Sequence, residues 1–248
     1  MNKPALLFLV GFLSLGCTPK ENTTALKDDE NPAALAVKKE GEWWYNRHQT
    51  IVSRLSANPE MILIGNSIFQ SLNGDGPQEV REKYLDQYRT VNMGISGDRT
   101  ENVIWRLQNG ALDNIQPKVA IILIGTNNID GNHYVNISTP EELAGGIWRI
   151  CEIVKEKLPH TKIILMGILP YGKRPNHRNN IIKATNSLIS KFPEKNPHIH
   201  YSDIGPLYFD TNGMVRKELM PDFLHPNAEG LLLMFEALQV DIARLMAE

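Results

Sequence analysis

Three side chains able to share acyl-transfer chemistry stand far apart in this chain: Ser67, Asp222 and His225. Ser67 closes the run Met61-Ile-Leu-Ile-Gly-Asn-Ser67, in which four apolar residues lead straight into Gly-Asn-Ser. A short continuous apolar run ending in Gly suits a fully buried parallel strand. Ligands of open α/β sheets sit outside the carboxyl ends of the strands. A Ser placed there, where a helix begins, turns its hydroxyl into that crevice, near N–H groups that favour developing negative charge. The plainer reading of the same Ser is a helix N-cap. Asp222 and His225 lie in Met220-Pro-Asp-Phe-Leu-His-Pro226. Their spacing lets one local turn hold both side chains on the same side, so that the carboxylate orients the imidazole and the imidazole takes the serine proton. Taken alone, the Asp-x-x-His spacing also fits a capping Asp beside a packed His.

Positioning these groups requires a sheet, and the chain alternates strand and helix five times. After a helix whose Trp43, Trp44, His48, Ile51, Val52 and Leu55 recur at helical spacing, the strand before Ser67 follows. The next strand runs from Arg89 to Ile95, ahead of Ser96-Gly-Asp-Arg99, and Thr100 is expected to N-cap a helix to about Gln108. Val119-Ala-Ile-Ile-Leu-Ile-Gly125 is the purest buried strand and ends in Thr126-Asn127-Asn128. Pro140 starts a helix to about Lys157, Lys162 to Leu169 is a strand, and a polar, basic loop covers Tyr171 to Arg178. A helix over Asn179 to Lys191 and a strand over His198 to Ile204 follow, and Pro226 suits the first turn of a last helix. The fold class is α/β, a three-layer α/β/α arrangement on a five-stranded parallel sheet with right-handed crossovers. Ser67, Gly97 and Asn127 then follow the first three strands on one rim.

In this order the pieces resemble a known family. The chain is similar to the SGNH hydrolases, or GDSL esterases, in the branch of the platelet-activating-factor acetylhydrolase alpha subunits. The resemblance rests on Ser67, Asp222 and His225 together with Asn92-Met-Gly-Ile-Ser-Gly-Asp98, Val103-Ile-Trp-Arg-Leu-Gln-Asn-Gly110 and Ile124-Gly-Thr-Asn-Asn128, and covers roughly residues 58–240. It implies a flavodoxin-like sheet and serine esterase chemistry. By motif position Ser67 is the nucleophile, Asp222 and His225 complete a triad, and Ser67, Gly97 and Asn127 supply the oxyanion hole. The family's first motif reads Gly-Asp-Ser where this chain has Gly-Asn-Ser; that Asp is not the triad carboxylate, so the chemistry stands. On the same rim Asp98 and Arg99, and in the later loop Arg174 and His177, are candidate substrate contacts, each weighed against a local ion pair or a solvated loop.

The 248 residues carry a formal charge of −2, without a basic block or basic-aromatic stripe, so nucleic acid is excluded as a partner class. The seven His form no His-x-x-x-His pair and the two Cys no cluster, so neither metal nor cofactor is expected. A Gly-x-Ser-x-Gly elbow of the α/β-hydrolase kind lacks its second Gly. Residues 1–17 read as a signal peptide: Lys3, an apolar stretch from Ala5 to Leu15, then Gly16-Cys17. The Cys after a small residue resembles a bacterial lipoprotein cleavage site, which makes Cys17 the lipidation site, and the protein exported to the cell envelope and membrane-bound through that anchor alone. Residues 18–40 are polar, with no apolar period, and are expected to form a disordered tether to a single domain at 41–248. Three activities remain open: a small-acyl, carbohydrate-directed esterase, a lipid-directed esterase or lysophospholipase of the same fold, and a non-catalytic glycan-binding lipoprotein. The intact set of five motif residues argues against the third.

Overall fold

The computed structural model of the chain describes Met1 and residues 30–248. Five strands form one sheet: β1 (Met61–Gly65), β2 (Val91–Asn92), β3 (Val119–Leu123), β4 (Lys162–Met166) and β5 (Ile199–Ser202), in the order β2-β1-β3-β4-β5. Every neighbouring pair is parallel; Ile62, for example, lies opposite Val91 on one side and Ala120 on the other. The helices are α1 (Glu42–Arg54), α2 (Ser67–Gln70), α3 (Gln78–Val80), α4 (Thr100–Gln108), α5 (Pro140–Lys157), α6 (His177–Ile189), α7 (Phe192–Lys195) and α8 (Ala228–Ala247).

Both faces of the sheet are covered, which is why its strands read as unbroken apolar runs. Ile62, Ile64, Ile122 and Leu165 pack on one side with Ile51 of α1, Val103 of α4 and Ile147 of α5. Met61, Leu63, Ile121 and Ile164 pack on the other with Tyr84 and with Phe235 and Leu238 of α8. Each such side chain, removed fully from water, contributes about 1.5–3 kcal/mol. The strand order reverses direction between β1 and β3, and such a switch point opens a crevice beyond the carboxyl ends of the strands. Ser67 follows β1 and Asn127 follows β3, so both flank it. No helix of the described residues is long and apolar enough to cross a membrane.

Several boundaries move. The second strand is two residues long: it starts late because Arg89 takes a left-handed φ of 47°, and beyond it Met93 N–H still donates to Leu63 O at 2.8 Å, so the chain keeps alongside β1. Thr100 is the first residue of α4 rather than its cap, its N–H already taken by Asn128 Oδ1 at 3.0 Å. The cap of α8 is Asn227, whose Oδ1 accepts from Gly230 N–H, and Pro226 lies outside the helix. The expected tether is also too long at its far end. From Asn31 the chain is a strap laid over α4 and α5: Asn31 Nδ2 donates to Glu142 O, Val37 N–H donates to Glu101 O, and Ala33 and Ala34 are buried. The seat exists because α5 has Gly146, where a Cβ would stand 2.3 Å from Ala33 O. The signal peptide and Cys17 lie outside the described residues.

Candidate active site

The turn after β1 is capped by Asn66, whose Oδ1 accepts from Ile68 N–H at 3.1 Å. The capping task therefore falls to the neighbour, and Ser67 stands as the first residue of α2 with its hydroxyl released. The amide oxygen of Asn66 does what a carboxylate oxygen would do in this turn. Ser67 Oγ lies 2.9 Å from His225 Nε2, and His225 Nδ1 lies 2.7 Å from Asp222 Oδ2. The second Asp222 oxygen accepts the backbone N–H groups of Leu224 (3.0 Å) and His225 (2.7 Å), so one carboxylate fixes both the ring and the backbone that carries it. Between them Phe223 has a φ of 60°, a left-handed conformation costly for a bulky residue and found where a turn must aim a side chain. Burial pushes the Asp222 carboxyl up, but the bonds from His225 and Leu224 outweigh it and hold it below its ordinary value. An ionised Asp222 keeps the proton on Nδ1 and leaves Nε2 free to accept from Ser67.

The loop after β2 meets this turn from the side. Gln70 Oε1 of α2 accepts Ser96 N–H at 2.8 Å, and Asn92 Nδ2 donates to Phe69 O, so nucleophile turn and loop are joined twice. Gly97 has a φ of 73°, which reverses the chain. No acceptor among the described residues bonds its N–H. Asn127 donates one amide hydrogen to Asp98 O at 2.8 Å, which orients the side chain and leaves its second hydrogen for a ligand. Ser67, Gly97 and Asn127 thus bring N–H donors from three loops to one rim.

Two expected substrate contacts belong elsewhere. Asp98 is fully buried: the reversal at Gly97 turns its carboxylate inward, where Trp44 Nε1 donates to Oδ1 at 2.6 Å and Arg106 Nε to Oδ2 at 2.8 Å. Burial raises its pKa against the pull of Arg106, Trp44 and Lys39. Arg106 also donates to Met93 O and Gly65 O, so this pair braces both the loop that carries Gly97 and the strand behind Ser67. Arg99 pairs with Glu101 at 2.7 Å and donates to Asn136 O, so its guanidinium is committed to loop structure. Arg174 is exposed on a loop tied to the Asp222 turn through Gly172 N–H and Phe223 O at 2.8 Å, and His177 is exposed as the first residue of α6. A groove of roughly 750 Å³ lies beyond β4 and β5, lined by Ile168, Tyr201 and Phe209 among others, and none of Ser67, Asp222 and His225 lines it. The roles of Gln70, Asn92 and Arg106 were missed in the sequence, although Asn92 and Arg106 stand in the motifs quoted above and Arg106 is a charge on the inner face of an amphipathic helix.

Residues 63–231 match the family model described as GDSL-like Lipase/Acylhydrolase family. Among curated proteins, the platelet-activating factor acetylhydrolase IB subunit alpha1 of Bos taurus is 29% identical over 228 residues, 90% of this chain and 94% of the relative. Among solved structures, a GDSL-like lipase of Bacteroides thetaiotaomicron superposes with a TM-score of 0.66 at 20% identity, covering 81% of this chain and 97% of that one. An acetylxylan esterase of Geobacillus stearothermophilus superposes with a TM-score of 0.59 at 16% identity, covering 74% and 94%. At these identities the structural likeness is one of fold.

Proposed function

We propose a reaction from one premise: the chain belongs to the GDSL-like lipase/acylhydrolase family and is a carboxylic ester hydrolase. The reaction is hydrolysis of small acyl esters, acetyl first among them, carried on carbohydrate. The observation that carries it is the continuous relay from Ser67 Oγ to His225 (2.9 Å) to Asp222 (2.7 Å). His225 Nε2 takes the Ser67 proton as Oγ attacks the ester carbonyl. The oxyanion is met by the N–H groups of Ser67 and Gly97 and the amide of Asn127; each such donor is worth on the order of 3 kcal/mol in acyl transfer. His225 returns the proton to the leaving alcohol, then takes one from water, which releases the acid from Ser67. The sugar side is supported by the rim loops, residues 130–136 and 171–178, which are rich in Asn, His, Arg and Tyr and suit hydroxyl-bearing ligands. Arg174 and His177 are its proposed contacts. The acetyl group is common to the names of the acetylhydrolase relatives and the acetylxylan esterase neighbour.

Ser67→Ala tests the core of this. Loss of p-nitrophenyl acetate hydrolysis with an unchanged circular dichroism spectrum is expected; near-normal turnover removes Ser67 as nucleophile. A lipid-directed esterase is the second reading, favoured by Val135 (101% exposed) and Ile137 (43%) on the rim loop. Release of fatty acid from phospholipid vesicles, with acetylated xylan untouched, would select it. The leader-like residues 1–17 support action at the cell envelope through a lipidated Cys17. Cys17→Ser should move the protein out of the membrane pellet, and unaltered pelleting removes the anchor.

A further inference from the structure

The carbonyl of Gly97 is gripped from two directions by residues that no motif contains. Lys39 Nζ, at the end of the strap, donates to Gly97 O at 2.9 Å and reaches Ser96 O at 3.5 Å. Tyr134 Oη, on the loop after β3, donates to the same Gly97 O at 2.6 Å. Neither contact is a loose surface encounter. The Tyr134 ring lies under the Arg99 guanidinium, 5.2 Å from its centroid, and Arg99 in turn holds Asn136 O. The Tyr134 loop is tied at its base by Asp130, which accepts from Asn132 N–H and from Tyr171 Oη at 3.1 Å each. The strap is fixed on the other side by Val37, bonded to Glu101 O and to Asn102 Nδ2.

We propose that Lys39 and Tyr134 are positioning residues for the oxyanion hole, acting on Gly97 through the two peptide units that flank it. This rests on the reading of Gly97 as an oxyanion donor. A trans peptide points its C=O and N–H in opposite directions. The N–H of Gly97 belongs to the peptide whose oxygen is Ser96 O, so an ammonium on that oxygen lies on the far side from the substrate. From there it draws electron density toward the carbonyl and makes the N–H a stronger donor. The second peptide, with Gly97 O, is held at its other end only by Asp98 N–H donating to Ile95 O at 3.2 Å, and its glycine has no side chain to restrain it. Two donors on that oxygen fix it. Gly suits the position besides: a φ of 73° strains any residue with a side chain, and a Cβ here would displace the Lys39 ammonium, 2.6 Å away. The strap is thereby part of the active site although it precedes the domain's first helix and touches no reacting atom.

The test uses the full chain and p-nitrophenyl acetate. Hydrolysis by the unaltered protein, abolished in Ser67→Ala, establishes the underlying reading; if that fails, the ester chemistry fails and not this inference alone. Given that activity, Lys39→Met and Tyr134→Phe should each lower kcat about tenfold with KM within about twofold. That is a fraction of the hundredfold or more lost when an oxyanion donor is deleted outright, since the donor stays but is held less firmly. Lys39→Arg should recover most of kcat. The double variant should lose clearly less than the product of the single losses, because both side chains act through one carbonyl. Single variants with kcat within twofold of the unaltered protein, a loss confined to KM, or single losses that multiply would each overturn the proposal. Tyr134→Phe removes one oxygen and keeps the ring, so its kcat decides the matter should Lys39→Met fail to fold.

Discussion

Arg106→Met probes the brace behind the loop that carries Gly97. Arg106 and Asp98 are both wholly removed from solvent, and the guanidinium spends three N–H groups on Asp98 Oδ2, Met93 O and Gly65 O. Met fills much of the same volume but donates nothing. It leaves a buried carboxylate held by Trp44 Nε1 alone at short range and two carbonyls without a donor they now have. Breaking a buried pair in this way costs about 3–5 kcal/mol. For a domain of this size that corresponds to a fall in Tm of about 6–20 °C. Burial already raises the Asp98 pKa, and removing the guanidinium removes the largest opposing pull. A carboxyl whose folded pKa exceeds its unfolded value destabilises the fold as pH rises through the unfolded value, so the deficit of the variant should be largest at neutral pH and shrink toward about pH 4. Adding Asp98→Asn removes the orphaned charge while keeping an acceptor for Trp44, and should return about 2 kcal/mol or more at pH 7. Urea titrations followed by circular dichroism at the two pH values measure all three proteins, provided the slope with denaturant is unchanged. An Arg106→Met protein within about 1 kcal/mol of the parent, or a double variant less stable than the single, refutes the reasoning.

Asp222→Asn should cut kcat by about three to four powers of ten while leaving the fold intact, because the amide reverses the tautomer preference of His225; a loss under tenfold would remove Asp222 from the relay. Its carboxyl is held below the ordinary value, so Asp222 stays ionised across about pH 5–8. Its stabilising effect is present above the unfolded carboxyl pKa and is lost only as pH falls through the folded value. Cys151 is buried in α5 and burial pushes its thiol far up, so iodoacetamide should leave the native enzyme fully active; inactivation that tracks labelling of Cys151 would contradict its placement. Acetyl esters should exceed octanoyl esters in kcat/KM by at least about tenfold, on the order of 1.4 kcal/mol of differential binding in the transition state, and the reverse order would promote the lipid-directed reading.

The residues legible in the sequence were those whose environment is set by near neighbours. β1, β3 and β4 announce themselves because both faces of the sheet are covered, and Asp222 and His225 because three residues of chain suffice to join them. Asp98 was misplaced because its direction is set by the reversal at Gly97, and its partners Trp44 and Arg106 come from two different helices. Residues 31–40 looked unstructured for a similar reason. Their apolar residues are mostly small and follow no helical or strand period, and what holds them is a seat of glycines and backbone carbonyls on α4 and α5, some hundred residues on in the case of Glu142. Thr100 was expected to cap α4 and Pro226 to sit in the first turn of the last helix, on residue type alone; instead Asn128 accepts the Thr100 N–H, and Asn227 caps a helix that starts beyond Pro226.

The bond between Ser67 and His225 closes a loop of 158 residues, and the turn that carries His225 leads directly into the last helix. All the other strands and crossovers lie between the two. Contacts of such long range form late, since the loop-closure entropy is lost before the contact returns anything. On a ribosome the imidazole emerges only after β2 to β5 have been made, so a copy cut short before His225 lacks one partner of this contact however much of its sheet has formed. During refolding from urea, helical signal should therefore recover ahead of turnover, and the gap between the two traces would time the docking of α8 onto the sheet.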